Sequence, residues 1–239
     1  MTVEKAGQQK MVGANFVSVG AEAIDIQDIK LVGDAEDGSS WVKWWNPETK
    51  KYGDKAVYVE ELYELSGDPI VPTTSGWGDP EFWCPVEKTF VPGEGFWFGP
   101  SADNVGVTIS GEVVQQKDVE YAGRTVEKAG QQIMVLNPFP TALDIQTVKL
   151  DGDAEDGSSW VKWWDPATKK YGDKAVYVEE LYELSGDPIV PKTSGWGDPE
   201  FWCPVEKEFG IGDGFWFGPA ADNVTICMPN PFYVKPAAE

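Results

Sequence analysis

The sequence predicts an all-β protein: two homologous small domains in tandem, each a β-sandwich or barrel-like module with little helix. The first observation behind this is a long internal repeat. Residues 33–88 return as residues 152–207 with only Asn46→Asp165, Glu48→Ala167 and Thr73→Lys192 changed, so 53 of 56 positions match. Two copies offset by 119 residues have the spacing of domains, whereas solenoid units run to about 20–50 residues. The second observation is punctuation. The chain holds 26 glycines and 18 prolines, set at intervals that suit short strands joined by turns better than helices of about ten residues or more. The third is that the repeat begins before the matched block, since TVEKAGQQ at residues 2–9 recurs at 125–132. The domains expected are therefore residues 1–118, with a linker from about residue 113 to Gly123, and residues 119–239.

Along the first copy, the opening segment carries four residues between Met11 and Asp25 that the second lacks. An insertion of that kind belongs in a loop. Next comes the acidic stretch Asp34-Ala35-Glu36-Asp37-Gly38-Ser39, where Asp-Gly marks a hairpin turn. SSWVKWW followed by NPETKKY reads as a hairpin turning at Asn46-Pro47. In KAVYVEELYELSG a strand is expected at 56–59, then a turn or short helix. Trp77, within Ser-Gly-Trp-Gly-Asp-Pro, is expected on a turn-rich loop. The Gly-x-Gly at Gly93 and Gly95 suits a bend before Phe-Trp-Phe. There strand alternation sends Phe96 and Phe98 to one face and Trp97 to the other. GFWFGPSADNVGVTISGEV reads as two strands around a turn. The final Asn230-Pro231-Phe232-Tyr233-Val234 is expected to pair along a sheet edge.

Composition narrows the functions. Hydrophobic content of 41% and charged content of 25% are those of a globular chain. The net charge of −21, from 40 acids against 19 bases, repels phosphate backbones and anionic lipid, so no nucleic-acid partner is expected. No apolar run approaches the ~20 residues of a membrane helix, so no membrane span is expected. The start, MTVEKAG, lacks the basic and apolar regions of a signal peptide, which leaves a cytosolic protein or an exported one whose leader is absent. Cys84 stands alone in the first copy, so a shared internal disulfide does not hold the fold. A Cys203–Cys227 or a Cys84–Cys203 bridge stays open beside buried free thiols.

The chain has no histidine, which removes Ser-His-Asp and Cys-His nucleophiles and His-ligated metals. Paired carboxylates are everywhere in so acidic a chain and single out no site. The expectation is a protein without catalytic residues and without a cofactor. Two sets of side chains could bind something. Asp34, Glu36 and Asp37, with Asp153, Glu155 and Asp156, offer oxygen ligands for calcium, though without EF-hand spacing; a simple turn explains them equally. Each copy also has six tryptophans. Trp44 and Trp45 are adjacent in a strand, so they cannot both enter one core. Together with Trp77 and the counterparts Trp163, Trp164 and Trp196, they could form a platform for sugar rings or an anchor for a protein partner. The alternative is that they fill the core.

AGQQ-MV-NPF, EDGSSWVKWWDP and PGEGFWFGP closing on TISGEV together resemble a family of secreted bacterial all-β modules that recur in tandem in exported and cell-surface proteins. The resemblance covers most of each repeat. Asn137-Pro138-Phe139 matches its Asn-Pro motif, where the first copy has Ala14-Asn15-Phe16. Asp37-Gly38 and Asp156-Gly157 match its turn, and residues 92–97 match its glycine-aromatic corner. The second copy departs there, with Ile211-Gly212-Asp213-Gly214. The resemblance implies a secreted or cell-surface location and no catalytic residues. The function expected is a non-catalytic structural or interaction module pair; a pair of carbohydrate-binding modules is the alternative.

Overall fold

In the computed structural model of the protein, the residues described are 2–14, 16–18, 22–33, 37–46, 49, 51–64, 71–72, 74–113, 120–152, 156–165, 170–182 and 194–235. The chain forms two compact units, Met1–Val114 and Gln115–Glu239. Both are built from antiparallel sheets. The helical turns among the described residues are two short 3-10 segments, Ile26–Asp28 and Ile145–Thr147.

The first unit is organised by a five-stranded sheet with the order Gly76–Gly78, Lys51–Val59, Trp41–Asn46, Gly95–Gly99, Lys10–Gly13. A three-stranded sheet pairs Thr2–Val3 and Lys30–Val32 with Val105–Thr108. One core draws on both sheets: Val12, Val42, Trp44, Ala56, Phe96 and Phe98 from the larger, Val3, Val105 and Val107 from the smaller. The second unit has the same five-strand order, running Gly195–Gly197, Lys170–Val178, Trp160–Asp165, Gly214–Gly218, Ile133–Leu136. Its three-stranded sheet is longer. Tyr121–Val126 pairs along the whole of Val224–Pro229, so residues 121–123, read from sequence as linker, belong to a strand.

Period-two patterning explains the burial. Phe96 and Phe98 are fully buried while Trp97 between them is not, and in the neighbouring strand Val42 and Trp44 point inward while Trp41, Lys43 and Trp45 do not. The hairpin read at Asn46 forms, with Asn46 opposite Lys51. Its strand runs from Lys51 to Val59, longer than the four residues expected. After it, Tyr63–Glu64 pairs with Val71–Pro72, and residues 60–64 contain no helix; 65–70 lie outside the described residues. The two strands around Pro100 also form, but in different sheets rather than as a hairpin. The Asp37-Gly38 turn likewise joins strands of different sheets. Gly38 has φ +69 there, the left-handed region that glycine enters without cost.

The tail does not add a strand to an edge. Asn230 is buried; its side-chain oxygen accepts from the Phe232 amide at 2.9 Å, and its own amide donates to Glu120 at 2.9 Å. Phe232 then meets Phe139 edge-on at 6.5 Å. The reason is local: Asn-Pro-Phe forms a side-chain-closed turn, as Asn137-Pro138-Phe139 also does, with Asn137 accepting from the Phe139 amide at 3.1 Å. A proline at the turn cannot donate to a ladder.

A second turn fixes Trp83 and Trp202. Asp79 accepts from the amides of Glu81, Phe82 and Cys84 at 3.0, 2.8 and 2.9 Å, and Asp198 repeats the pattern. Trp83 sits at φ 57, a conformation that is costly for a bulky residue. The three amide bonds hold it there, stacked on Tyr63 at 6.4 Å. Burial alone would push the Asp79 carboxyl up, but the hydrogen bonds from Phe82, Cys84 and Glu81 outweigh it and leave the group below its ordinary value; Asp198 behaves alike. A depressed carboxyl stabilises the fold above its unfolded titration range and loses that contribution as pH falls through its folded value. Both carboxylate oxygens accept amides, and asparagine would turn one of them into a donor, so Asp79→Asn with Asp198→Asn should lower stability at neutral pH by about 1 kcal/mol per site, the usual net worth of a hydrogen bond. The deficit should shrink in acid, as chemical denaturation at several pH values would measure. A deficit independent of pH would refute the assignment.

Candidate functional site

Trp77 and Trp196 do not lie on an exposed loop. Each occupies the middle of a short edge strand, opposite Tyr58 or Tyr177, and is 0% exposed. The Trp77 indole N–H donates to the Ile29 carbonyl at 2.7 Å, and that of Trp196 to Val148 at 2.9 Å. Gln27, aimed by the 3-10 turn that Asp25 caps, closes over the strand. Its amide nitrogen donates to the carbonyls of Trp77 and Val86, and its oxygen accepts from the Trp77 amide at 3.0 Å. Trp44 and Trp163 are buried too, edge-on to Phe90 and Phe209. These four are core residues, a correction to their reading as contact residues. The flanking glycines that made Trp77 look like loop are what let the strand sit tightly: a Cβ at Gly78 would lie 2.9 Å from Leu62.

Trp45 and Trp164 do reach the surface, the latter 44% exposed. They belong to a different arrangement from the one expected. On the outer face of the five-stranded sheet of the first unit, Gln9, Trp41, Lys43, Tyr52, Lys55 and Trp97 line an open depression of about 490 Å³. Three strands supply it in register: Trp97 faces Lys43, and Lys43 faces Lys55. Lys55 Nζ lies 5.7 Å from the centre of the Trp41 ring, a cation–π distance. A Cβ at Gly99 would overlap the Trp41 indole, so this glycine is what allows the ring to lie flat on the backbone. Trp45 stands beside the depression, edge-on to Tyr52 at 5.3 Å.

A β-bulge assembles the lining. Lys43 pairs with Lys55 but Trp45 pairs with Tyr52, so Trp44 faces two residues, Gly53 and Asp54. The extra residue brings Tyr52 and Lys55 onto one face, where strict alternation would separate them. The second unit repeats the register shift between Lys162 and Trp164, and Lys174 lies 5.5 Å from the Trp160 ring. All six lining residues recur there, as Gln132, Trp160, Lys162, Tyr171, Lys174 and Trp216. Burial pushes the Tyr171 phenol up, partly offset by a hydrogen bond with Trp216.

Sequence reading missed Trp41, Trp97 and the two lysines as a group. The signal was present in part: the inward parity of Val42, Phe96 and Phe98 assigns Trp41, Lys43 and Trp97 to the opposite face. Among the calcium candidates, Asp34, Glu36, Asp153 and Glu155 lie outside the described residues. Asp37 and Asp156 accept the amides of Glu60 and Glu179 at 2.8 Å, and no cluster of metal-ligating side chains occurs among the described residues. Cys84, Cys203 and Cys227 are free thiols. No described helix is long and apolar enough to cross a membrane. No protein-family model matches the sequence, and neither the curated proteins nor the solved structures give a match to it.

Proposed function

We infer that the protein is a non-catalytic interaction protein of the bacterial exterior, made of two duplicated β-sandwich modules that each present an outer sheet face to a partner. The observation that carries this reading is the tryptophan–lysine depression, with its six lining residues present in both units. Aromatic rings held partly buried at a concave surface supply contact area at low conformational cost. The lining has no carboxylate or thiol, which supports binding rather than hydrolysis. The motif resemblance and the acidic composition support an exported location. Carbohydrate binding is the second reading, favoured by indoles set beside amide and ammonium donors.

Both readings place the contact on the same face. The double variant Trp97→Ala with Trp216→Ala should bind isolated bacterial cell envelopes at least about tenfold more weakly than the parent, a loss of about 1.4 kcal/mol, in a sedimentation assay. The unfolding midpoint should change little, because both rings lie outside the core clusters. If variant and parent sediment alike, the outer faces are not the binding surface.

A further inference from the structure

We propose that each outer face binds an acidic polysaccharide, with an indole under the sugar ring and the paired lysines on its carboxylate. This rests on the outer face being the binding surface and adds the chemistry of what it binds. The outer face carries an electrostatic cost. Lys43 lies directly across from Lys55, and Lys162 across from Lys174. Like charges in directly opposed positions destabilise a sheet. The chain has 40 acids and only 19 bases, so carboxylates to relieve the pair are abundant. Yet the ion pairs formed by described residues involve Lys5, Lys88 and Lys128, and neither Lys43 nor Lys55. Two ammonium groups without a carboxylate partner among the described residues, that of Lys55 over the Trp41 ring, line the depression and make it complementary to an anion.

The rest of the lining selects the kind of anion. Trp41 and Trp97 are diagonal neighbours on one face, since Trp41 faces Gly99 and Trp97 faces Lys43. They offer flat apolar area of the sort that packs against the C–H face of a pyranose ring. Gln9 adds an amide at the margin for ring hydroxyls. A bare inorganic anion would use the lysines and leave the indoles idle; a neutral sugar would use the indoles and leave the lysines repelling each other. A uronic-acid residue uses both. The overall charge of −21 does not forbid this, because at physiological ionic strength charges more than about 8 Å away are largely screened. Lysines in direct contact then outweigh the remote acids.

The test uses the whole chain at physiological salt and follows tryptophan fluorescence and calorimetric heat. The probes are oligogalacturonate, the same oligomer methyl-esterified, and poly-glutamate. Oligogalacturonate should bind at two sites per chain, about tenfold or more tighter than its ester. Lys43→Gln with Lys162→Gln should remove that preference while leaving the unfolding midpoint unchanged or raised, as relief of like-charge repulsion requires. Several results would overturn the proposal: no binding of oligogalacturonate, equal binding of the ester, or an undiminished preference in the lysine variant. Binding of poly-glutamate alone would also overturn it and point to an acidic protein partner. Where any probe binds in those cases, its loss in the Trp97→Ala, Trp216→Ala variant would leave the outer face standing as the contact surface. Binding that survives that variant would remove the face itself.

Discussion

Replacing Trp77 by alanine is expected to destabilise the first unit by about 3–5 kcal/mol, the cost of emptying a large aromatic site in a packed core. The indole is fully buried, meets Tyr58 edge-on at 5.2 Å and donates its N–H to Ile29. Truncation would leave both a cavity and an orphaned carbonyl. A domain's whole stability is about 5–15 kcal/mol, so the loss is a large fraction of it. The two units have separate cores, one containing Trp77 and the other Trp196. Calorimetry of Trp77→Ala should therefore show one transition moved to lower temperature and one left in place. Trp196→Ala should move the other. A single transition shifted as a whole by either variant would contradict the division into units.

A second large effect is expected from a nearly isosteric change, Gln27→Glu. The glutamine nitrogen donates to two carbonyls, those of Trp77 and Val86, at 2.7 and 3.1 Å. An ionised glutamate has no donor and would set negative oxygen against both. Two partly buried acceptors lose their partner, at about 1–3 kcal/mol each. We expect a loss of roughly 3 kcal/mol at neutral pH, with a similar loss for Gln146→Glu. Acid should recover part of it, because a protonated carboxyl regains one donor. Denaturant midpoints measured from neutral to acid pH check this; a variant as stable as the parent at neutral pH would show that Gln27 does not brace the edge strand.

Strand alternation was readable wherever both neighbours of a residue had clear polarity. Phe96-Trp97-Phe98 sorts itself because phenylalanine on both sides of the tryptophan leaves one consistent inner face. The Trp77 segment and the tail differ from expectation for opposite reasons. At Trp77 the glycines and Asp-Pro, residues that signal turns, hid a strand. In the tail the expected edge strand is stopped by Asn230-Pro231-Phe232, which turns inward and places Phe232 on Phe139. The glycines around Trp77 mark close packing beneath Leu62 and Gln27 rather than exposure. Turn chemistry reports local backbone conformation and says little about which side the solvent lies on.

From the sequence alone came the doubling of the chain, its all-β character, and the opposite facing of adjacent aromatic residues. All of these depend on chemistry between neighbours along the chain or on direct comparison of its two halves. The tertiary structure decided which tryptophans form a surface. Trp77 is buried because Gln27 and Ile29, about 50 residues earlier, close over it. The depression exists because one extra residue opposite Trp44 carries Tyr52 and Lys55 to the face where Trp41, Lys43 and Trp97 already stand. A bulge is a mismatch between two strands, settled only when they pair, so neither strand's own periodicity contains it.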